Sequence, residues 1–257
     1  MSSKIEEHDT NLSRRIWGRA AANLTLGADE IHVWRIAAFE DDADVALCAA
    51  LLSKDEQTRA ARFKFDRDRR LFTAAHAALR SICALYLRTT PVSVQLADGR
   101  YGKPELASDS RADLRFNLSH SGELALIGLS AKREIGVDLE MIKDFSFDEV
   151  AERFFTPREV AGLRSLPKHL QRQAFYKCWT SKEAFLKAKG TGLSGQLDEV
   201  DIVPLGADEI RISADVAGWS LAELPVGDGY VAALANEGAP LAVYLYEWTV
   251  SPSTAPQ

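Results

Sequence analysis

Gly136-Val137-Asp138-Leu139-Glu140 sets two carboxylates two positions apart. Side chains alternate along a strand, so Asp138 and Glu140 share one face and Val137 and Leu139 the other. Two neighbouring carboxylates repel unless positive charge lies between them. A hard divalent cation with oxygen ligands, Mg²⁺ foremost, meets that need. The competing reading is a solvated strand face at a sheet edge. Further on, Trp179-Thr180-Ser181-Lys182-Glu183-Ala184-Phe185-Leu186-Lys187 reads as helix. At about 100° per residue, Phe175, Cys178, Trp179, Phe185 and Leu186 form an apolar arc. Tyr176, Thr180, Glu183 and Lys187 form a polar stripe on its flank. As a plain i,i+4 pair, Glu183 and Lys187 add only about 0.3 kcal/mol to the helix. Lys182 falls inside the apolar arc, where lysine needs a carboxylate or bound anion as partner, or must snorkel out.

Phe116-Asn117-Leu118-Ser119-His120-Ser121-Gly122 is a third candidate. Asn117 and Ser119 alternate onto one face, Leu118 onto the other, with His120 near the strand end. Small donors and an imidazole beside a glycine suit phosphate, and they equally make a polar hairpin end. Arg59, Arg62, Lys64, Arg67, Arg69 and Arg70 crowd one helical region, and Lys103-Pro104 follows Gly102 in a turn. Arginines suit bidentate phosphate contact, although such crowding also makes a solvated helix face. No G-x-S-x-G supports a hydrolase elbow, and the glycines form neither a G-x-G-x-x-G after a strand nor a P-loop, so dinucleotide and nucleotide folds of those kinds are not supported.

These residues need elements to hold them. Ile31–Ile36 alternates as a strand. Ser53-Lys54-Asp55-Glu56 is a capping box opening a short helix toward Phe65, and Asp66 is expected to cap a longer one that stops before Pro91. Phe116–Ser121 and Leu124–Ser130 read as a hairpin, followed by a strand over Ile135–Glu140. Ser146–Glu149 and Thr156–Glu159 are further capping boxes, the latter with Pro157 at the first helical position. A long helix spans about 168–189 and ends at Gly190. Strand-like runs follow at Val200–Val203, Trp219–Leu224, Tyr230–Ala235 and Leu241–Trp248. Phe72, His76, Leu79 and Arg80 loosely echo Phe175, Trp179, Lys182 and Glu183, which raises an internal duplication. The class is α+β with mostly antiparallel sheets.

The 257 residues carry 31 basic and 37 acidic side chains, a formal net charge of −6. That balance argues against nonspecific nucleic-acid binding. Cys48, Cys83 and Cys178 are widely spaced in apolar helical surroundings and read as core thiols. The start lacks a signal-peptide apolar region, and the longest apolar run, Val45–Leu52, is far short of the about 20 residues of a membrane span. The expectation is a soluble cytoplasmic protein with no nucleic-acid and no membrane partner.

In this order, the segments resemble phosphopantetheinyl transferases of the surfactin-synthetase-activating type. The likeness runs from about residue 30 to 205. It is carried by Arg59–Phe65, Asp66-Arg67-Asp68-Arg69-Arg70, Gly102-Lys103-Pro104, Phe116–Ser121, Gly136–Glu140 and Trp179–Lys187. It implies two similar α+β lobes of pseudo-twofold relation, each with helices packed on a mostly antiparallel sheet. Coenzyme A would lie in the cleft between them. The expected division is a loose arm over 1–28, lobes over 29–134 and 135–250, and a disordered tail over 251–257. The length fits the two-lobed monomeric form.

The resemblance further implies transfer of 4′-phosphopantetheine from coenzyme A to a serine of an apo acyl, peptidyl or aryl carrier protein, releasing adenosine 3′,5′-bisphosphate. Asp138, Glu140 and Glu183 would hold Mg²⁺ against the diphosphate. Glu183, directly or through water, would take the serine proton, and Lys187 would offset charge on the leaving phosphate. Lys182 would sit against the phosphates or a metal-site carboxylate. Arg59, Arg62, Lys103, Pro104, Asn117, Ser119 and His120 would hold the nucleotide, His120 and Lys103 nearest its 3′-phosphate. Met141–Phe155, with Ile142, Phe145, Phe147 and Phe154, is a candidate carrier contact. Two other readings use the same residues: a Mg²⁺-dependent nucleotide hydrolase, and a noncatalytic module that binds coenzyme A or carrier domains.

Overall fold

The chain runs through the same course of elements twice. The computed structural model describes residues 17–21, 23–99, 104–107, 113–191, 200–205, 211–214 and 216–250. The first course is β1 (Glu30–Ala37), α1 (Asp42–Ala49), α2 (Lys54–Ala60), α3 (Asp66–Leu87), a short ladder of β2 (Leu96–Asp98) with β3 (Pro104–Leu106), and the hairpin β4 (Leu114–Ser121) and β5 (Leu124–Ala131). The second is β6 (Ile135–Met141), α4 (Asp148–Phe154), α5 (Pro157–Ser165), α6 (Lys168–Lys189), a ladder of β7 (Ile202–Leu205) with β8 (Arg211–Ala214), and the hairpin β9 (Trp219–Leu224) and β10 (Tyr230–Glu237). In each, the opening strand pairs antiparallel with the second strand of the hairpin: β1 with β5, β6 with β10. A last strand, β11 (Ala242–Glu247), returns to the first sheet and lies parallel to β1. The sheets are ordered β11-β1-β5-β4 and β6-β10-β9. The expected α+β class with two similar lobes and mostly antiparallel sheets is what the chain adopts.

Three cores follow from the alternation of the strands. One face of the first sheet, with Trp34, Ile36, Ile127 and Leu129, packs on α3 through Ala75, Leu79 and Ile82. Val231, Ala233 and Ala235 of the second sheet pack on α6 through Phe175, Cys178 and Phe185. The remaining faces meet each other, Ile31, Val33 and Leu126 against Val137, Leu139 and Leu234, and so join the lobes. Cys48, Cys83 and Cys178 are buried free thiols, as expected. Among the described residues no helix is long and apolar enough to cross a membrane.

The helix starts show where local signals decide and where packing does. Capping boxes at Ser53/Glu56 and Thr156/Glu159 form as expected, and Gly190 closes α6 in the left-handed region at φ 69°. Asp66 is not the cap of α3. Phe65 holds that position, and the Asp66 carboxylate is taken by the guanidiniums of Arg69 and Arg70 one turn on. The box at Ser146/Glu149 does not form either. Helix α4 starts after Phe147, whose ring stacks on Phe175 at 5.2 Å, so an aromatic contact sets the start. Residues 1–16 of the expected arm, the tail 251–257 and Lys103 lie outside the described residues; Gly18 bridges Tyr246 on β11.

Each capping-box glutamate also anchors a cation on the long helix of its lobe. Glu56 accepts from the Ser53 N–H (2.8 Å) and from Arg80 Nε (2.6 Å), while Arg80 Nη1 donates to the Val94 carbonyl (3.0 Å). Glu159 accepts from the Thr156 and Ile202 N–H groups (2.7 and 2.6 Å) and pairs with Lys182 Nζ (2.8 Å), which also donates to the Val200 carbonyl (2.8 Å). Glu159 and Lys182 are 0% and 1% exposed.

Two outcomes follow. Lys182→Ala leaves Glu159 buried without its cation and is expected to lower unfolding stability by about 3–5 kcal/mol in urea. Intact stability with weakened coenzyme A affinity would instead put Lys182 in the ligand cleft. Burial pushes the Glu56 carboxyl up, but hydrogen bonds from His76, the Ser53 amide and Arg80 outweigh it and hold its pKa at about 2. A carboxyl held below its usual range stabilises the fold above that range and loses the contribution as pH falls toward 2. Glu56→Gln is therefore expected to flatten the fall in denaturation midpoint between about pH 5 and pH 2.5; an unchanged slope would contradict the assignment.

Candidate active site

The two sheets meet edge to edge without sharing a ladder. Strand β4 joins β6 by side chains. The N–H groups of Val137, Leu139 and Met141 donate to Asn117 Oδ1 (2.7 Å), Ser119 Oγ (3.2 Å) and Ser121 Oγ (3.0 Å). Asn117, Ser119 and Ser121 alternate along one face, so three side chains satisfy three successive outward-facing amides of the edge strand. The hydroxyls then donate onward, Ser119 to Asp138 Oδ1 (3.0 Å) and Ser121 to Glu140 Oε2 (2.8 Å). Both acidic side chains are thereby oriented by the opposite lobe.

Helix α6 reaches the same place because Gly136 lets it. A Cβ on Gly136 would stand 2.0 Å from the Ala184 carbonyl oxygen and 2.5 Å from the Ala188 nitrogen. Strand and helix backbones are in direct contact there, and Ala184 lies between Glu183 and Lys187. Lys187 Nζ donates to Asp138 Oδ1 (2.6 Å) and to Ser119 Oγ (2.9 Å).

A cleft of about 280 Å³ opens at this junction. Leu118, Ser119 and His120 line it from β4, Asp138 and Glu140 from β6, and Trp179, Glu183 and Lys187 from α6. Burial, then the charges of Asp138 and Glu140, push the Glu183 carboxyl up to about 7, with Lys187 pulling the other way. Burial also raises Glu140, opposed by the Ser121 hydrogen bond. His120 stands exposed at the rim. The protein around it and then the cations Lys187, His76 and Arg59 push its pKa below the usual value.

Asp138 Oδ2 and Glu183 Oε1 are buried and accept no hydrogen bond among the described residues. Lone pairs left unused there are costly unless a ligand completes them. The donors are all carboxylate oxygens, which suits a hard divalent cation. Among the described residues, however, no three acidic, histidine or cysteine side chains form a ready-made metal cage. Lys187 supplies positive charge beside Asp138 instead.

The remaining expected site residues are placed as follows. Asn117 is buried, its Oδ1 engaged with β6, and does not line the cleft. The Ser119 hydroxyl already donates once and accepts twice, which uses its full capacity and leaves none for a phosphate. Lys182 turns away from the cleft into its ion pair with Glu159, so the carboxylate partner its position demands comes from α5. Pro104 opens β3 opposite Asp98, apart from the cleft. Arg59 and Arg62 are exposed at the end of α2, with the Arg59 guanidinium 5.5 Å from the Phe72 ring centre. Two contributors were not singled out from the sequence. Ser121 was detectable from the shared period of N-x-S-x-S and D-x-E. Trp179, assigned to the buried arc, is half-buried and lines the cleft, packed edge-on against Phe154.

Comparison with known proteins bears on this arrangement. A family profile described as the 4′-phosphopantetheinyl transferase superfamily matches residues 134–235, and one described as 4′-phosphopantetheinyl transferase, N-terminal, matches residues 39–132. The chain is 42% identical over 224 residues to the 4′-phosphopantetheinyl transferase HetI of Nostoc sp., covering 86% of this chain and 94% of that protein. It is 30% identical to a 4′-phosphopantetheinyl transferase of Bacillus subtilis, over 69% of this chain and 73% of that protein. It is 29% identical to the human L-aminoadipate-semialdehyde dehydrogenase-phosphopantetheinyl transferase, over 75% and 69% of the two.

The packing at Gly136 yields a sharp test. Gly136→Ala forces the α6 backbone away from β6 and is expected to cost about 3 kcal/mol or more in chemical denaturation. At Gly128 the nearest atom to an added Cβ is the Val137 Cγ1 at 2.8 Å, a side-chain end that can shift, so Gly128→Ala is expected to be milder. Equal costs would contradict the backbone contact as the constraint.

Proposed function

The chain belongs to the 4′-phosphopantetheinyl transferase superfamily and transfers phosphopantetheine to carrier proteins; from that premise we propose how its cleft performs the transfer. Phosphoryl transfer asks a protein chiefly to position the reactants and offset charge. Asp138, Glu140 and Glu183 would hold a divalent cation, Mg²⁺ by preference, which would neutralise the diphosphate of coenzyme A. The observation that supports this most is the pair of buried, unpartnered oxygens, Asp138 Oδ2 and Glu183 Oε1, on two different elements of one cleft.

The Glu183 carboxylate would also be the acceptor for the proton of the incoming carrier serine, directly or through a water. The serine oxygen bonds to the phosphorus that bears pantetheine, and the bond to the adenosine-bearing phosphate breaks. Adenosine 3′,5′-bisphosphate leaves. Lys187 Nζ, which donates to Asp138, would offset the charge on that leaving phosphate. Ser119 and Ser121 do not touch substrate in this scheme; they hold Asp138 and Glu140. Among the described site residues no activated nucleophile stands in the cleft, which favours direct transfer over a covalent enzyme intermediate.

The carrier docks beside α4 in this reading. Phe145 is 40% exposed there, while Phe147 and Phe154 pack inward. The net charge of −6 favours local, partly apolar recognition of an acidic carrier over long-range attraction. The acidic balance supports a protein that does not bind nucleic acid nonspecifically, and the buried free thiols suit the reducing cytoplasm.

Incubation with coenzyme A, Mg²⁺ and an apo carrier is expected to add about 340 Da, one phosphopantetheine, to the carrier. Asp138→Ala is expected to lower the rate about a hundredfold or more, since the diphosphate loses its alignment. Phosphate release without a carrier would favour the hydrolase reading. Binding without turnover would favour the module, and a near-normal Asp138→Ala rate would remove the acidic residues from the mechanism.

A further inference from the structure

We propose, resting on the transferase reading above, that Tyr230 is a positioning residue for the transfer: its hydroxyl fixes the turn between β4 and β5 and, through Ser121, sets where the Glu140 carboxylate points. Tyr230 opens β10 in the second lobe and stands opposite Met141 at the end of the β6 ladder. The turn it meets, Gly122-Glu123, belongs to the first lobe and joins Ser121 to Leu124. The Glu123 N–H donates to the Tyr230 hydroxyl oxygen (3.1 Å). Gly122 takes φ 61° at the first turn position, where so tight a connection favours glycine. A Cβ there would stand 2.6 Å from the Tyr230 hydroxyl oxygen and 2.8 Å from Met141 Sδ. The turn therefore lies directly on these two side chains of the second lobe.

The same turn carries the residue that holds Glu140. Ser121, immediately before it, accepts from the Met141 N–H (3.0 Å) and donates to Glu140 Oε2 (2.8 Å). On the other side of β6, the Ile142 N–H donates to the Gly229 carbonyl (2.8 Å), next to Tyr230. The end of β6 is thus gripped by Ser121 from one lobe and by the start of β10 from its own. Tyr230 closes the arrangement, because it belongs to β10 and also holds the turn behind Ser121. A hairpin tip without such a tie is among the parts of a sheet that open most readily. Any swing of the tip carries Ser121 with it and releases the Glu140 carboxylate. Glu140 lines the cleft with Asp138 and Glu183, so its direction decides whether all three face one point.

The duplicated fold shows that packing alone does not call for this hydroxyl. The ladder between the opening strand and the second hairpin strand ends on the pair Ala37–Leu124 in the first lobe and Met141–Tyr230 in the second. Leu124 and Tyr230 both pack against the core that joins the lobes. An apolar side chain meets that need in the first lobe, where the strand residue before Ala37 is Ile36. In the second lobe the residue before Met141 is Glu140, and there the repeat carries a hydroxyl.

Tyr230→Phe keeps the ring and removes only that hydroxyl. In the free protein, the Glu123 and Met141 amides are expected to exchange with solvent about tenfold faster than in the wild type, Met141 because Ser121 is no longer held. With coenzyme A, Mg²⁺ and an apo carrier, kcat is expected to fall about fivefold, the loss of one hydrogen bond. Added to Ser121→Ala, the substitution is expected to lower kcat no further than Ser121→Ala does alone, since both act through one contact. A role in packing alone would speed exchange at Glu123 and leave kcat unchanged, which overturns the proposal. So does a fall that adds to that of Ser121→Ala, or unchanged exchange at Met141. A wild type that modifies no carrier would sink the transferase reading instead; the exchange rates need neither substrate nor metal and still decide whether Tyr230 holds Ser121.

Discussion

Bringing Asp138, Glu140 and Glu183 to one partly buried cleft sets three like charges against each other. At an effective dielectric of about 20, two unit charges 4 Å apart interact by about 4 kcal/mol. Burial first, and then that repulsion, raise the Glu183 carboxyl to about 7. Lys187 relieves part of it by pairing with Asp138. The arrangement is costly as it stands and is made good by positive charge arriving between the carboxylates. That demand links the fold to the chemistry, because a substrate carrying a diphosphate needs the same charge.

A cluster that repels itself has to be held by its surroundings. Two devices do this. The side chains of Asn117, Ser119 and Ser121 replace a ladder between β4 and β6, and two of the three also grip an acidic side chain. Gly136 brings the backbone of α6 onto β6, which fixes where Glu183 and Lys187 stand relative to Asp138. The first device ties lobe to lobe and the second ties strand to helix. Behind them, the Glu56–Arg80 and Glu159–Lys182 pairs lock each long helix to the helix before it. The site is therefore at the seam of a repeat, where neither half is complete alone.

Much of this was legible in the sequence, and the limits have physical causes. D-x-E on a strand and K-E-A-x-x-K on a helix were readable from their periods, and the local capping chemistry of Ser53 and Thr156 fixed two helix starts. Asp66 and Ser146 misled because a salt bridge and an aromatic stack, both invisible to local spacing, displaced the expected caps. Lys182 was correctly flagged as a lysine in need of a partner. Its partner sits on α5 and belongs to the interior, which helical phase alone does not reveal. Asn117 and Ser119 were read as ligand donors because they are small and polar at a strand end. Their true partners, the amides of β6, are set by the meeting of two sheets. The sequence echo between the long helices was one residue out of register: Arg80 and Lys182 share a role, whereas the echo set Arg80 against Glu183.

The most direct measurement is a crystal of the chain grown with coenzyme A and Mn²⁺ in place of Mg²⁺, with the ion located by its anomalous scattering. The account predicts one ion within about 2.5 Å of oxygens from Asp138, Glu140 and Glu183, and Lys187 drawn off Asp138 toward the phosphates. An ion bound elsewhere, with Lys187 still on Asp138 and Glu183 touching neither metal nor substrate, would contradict it.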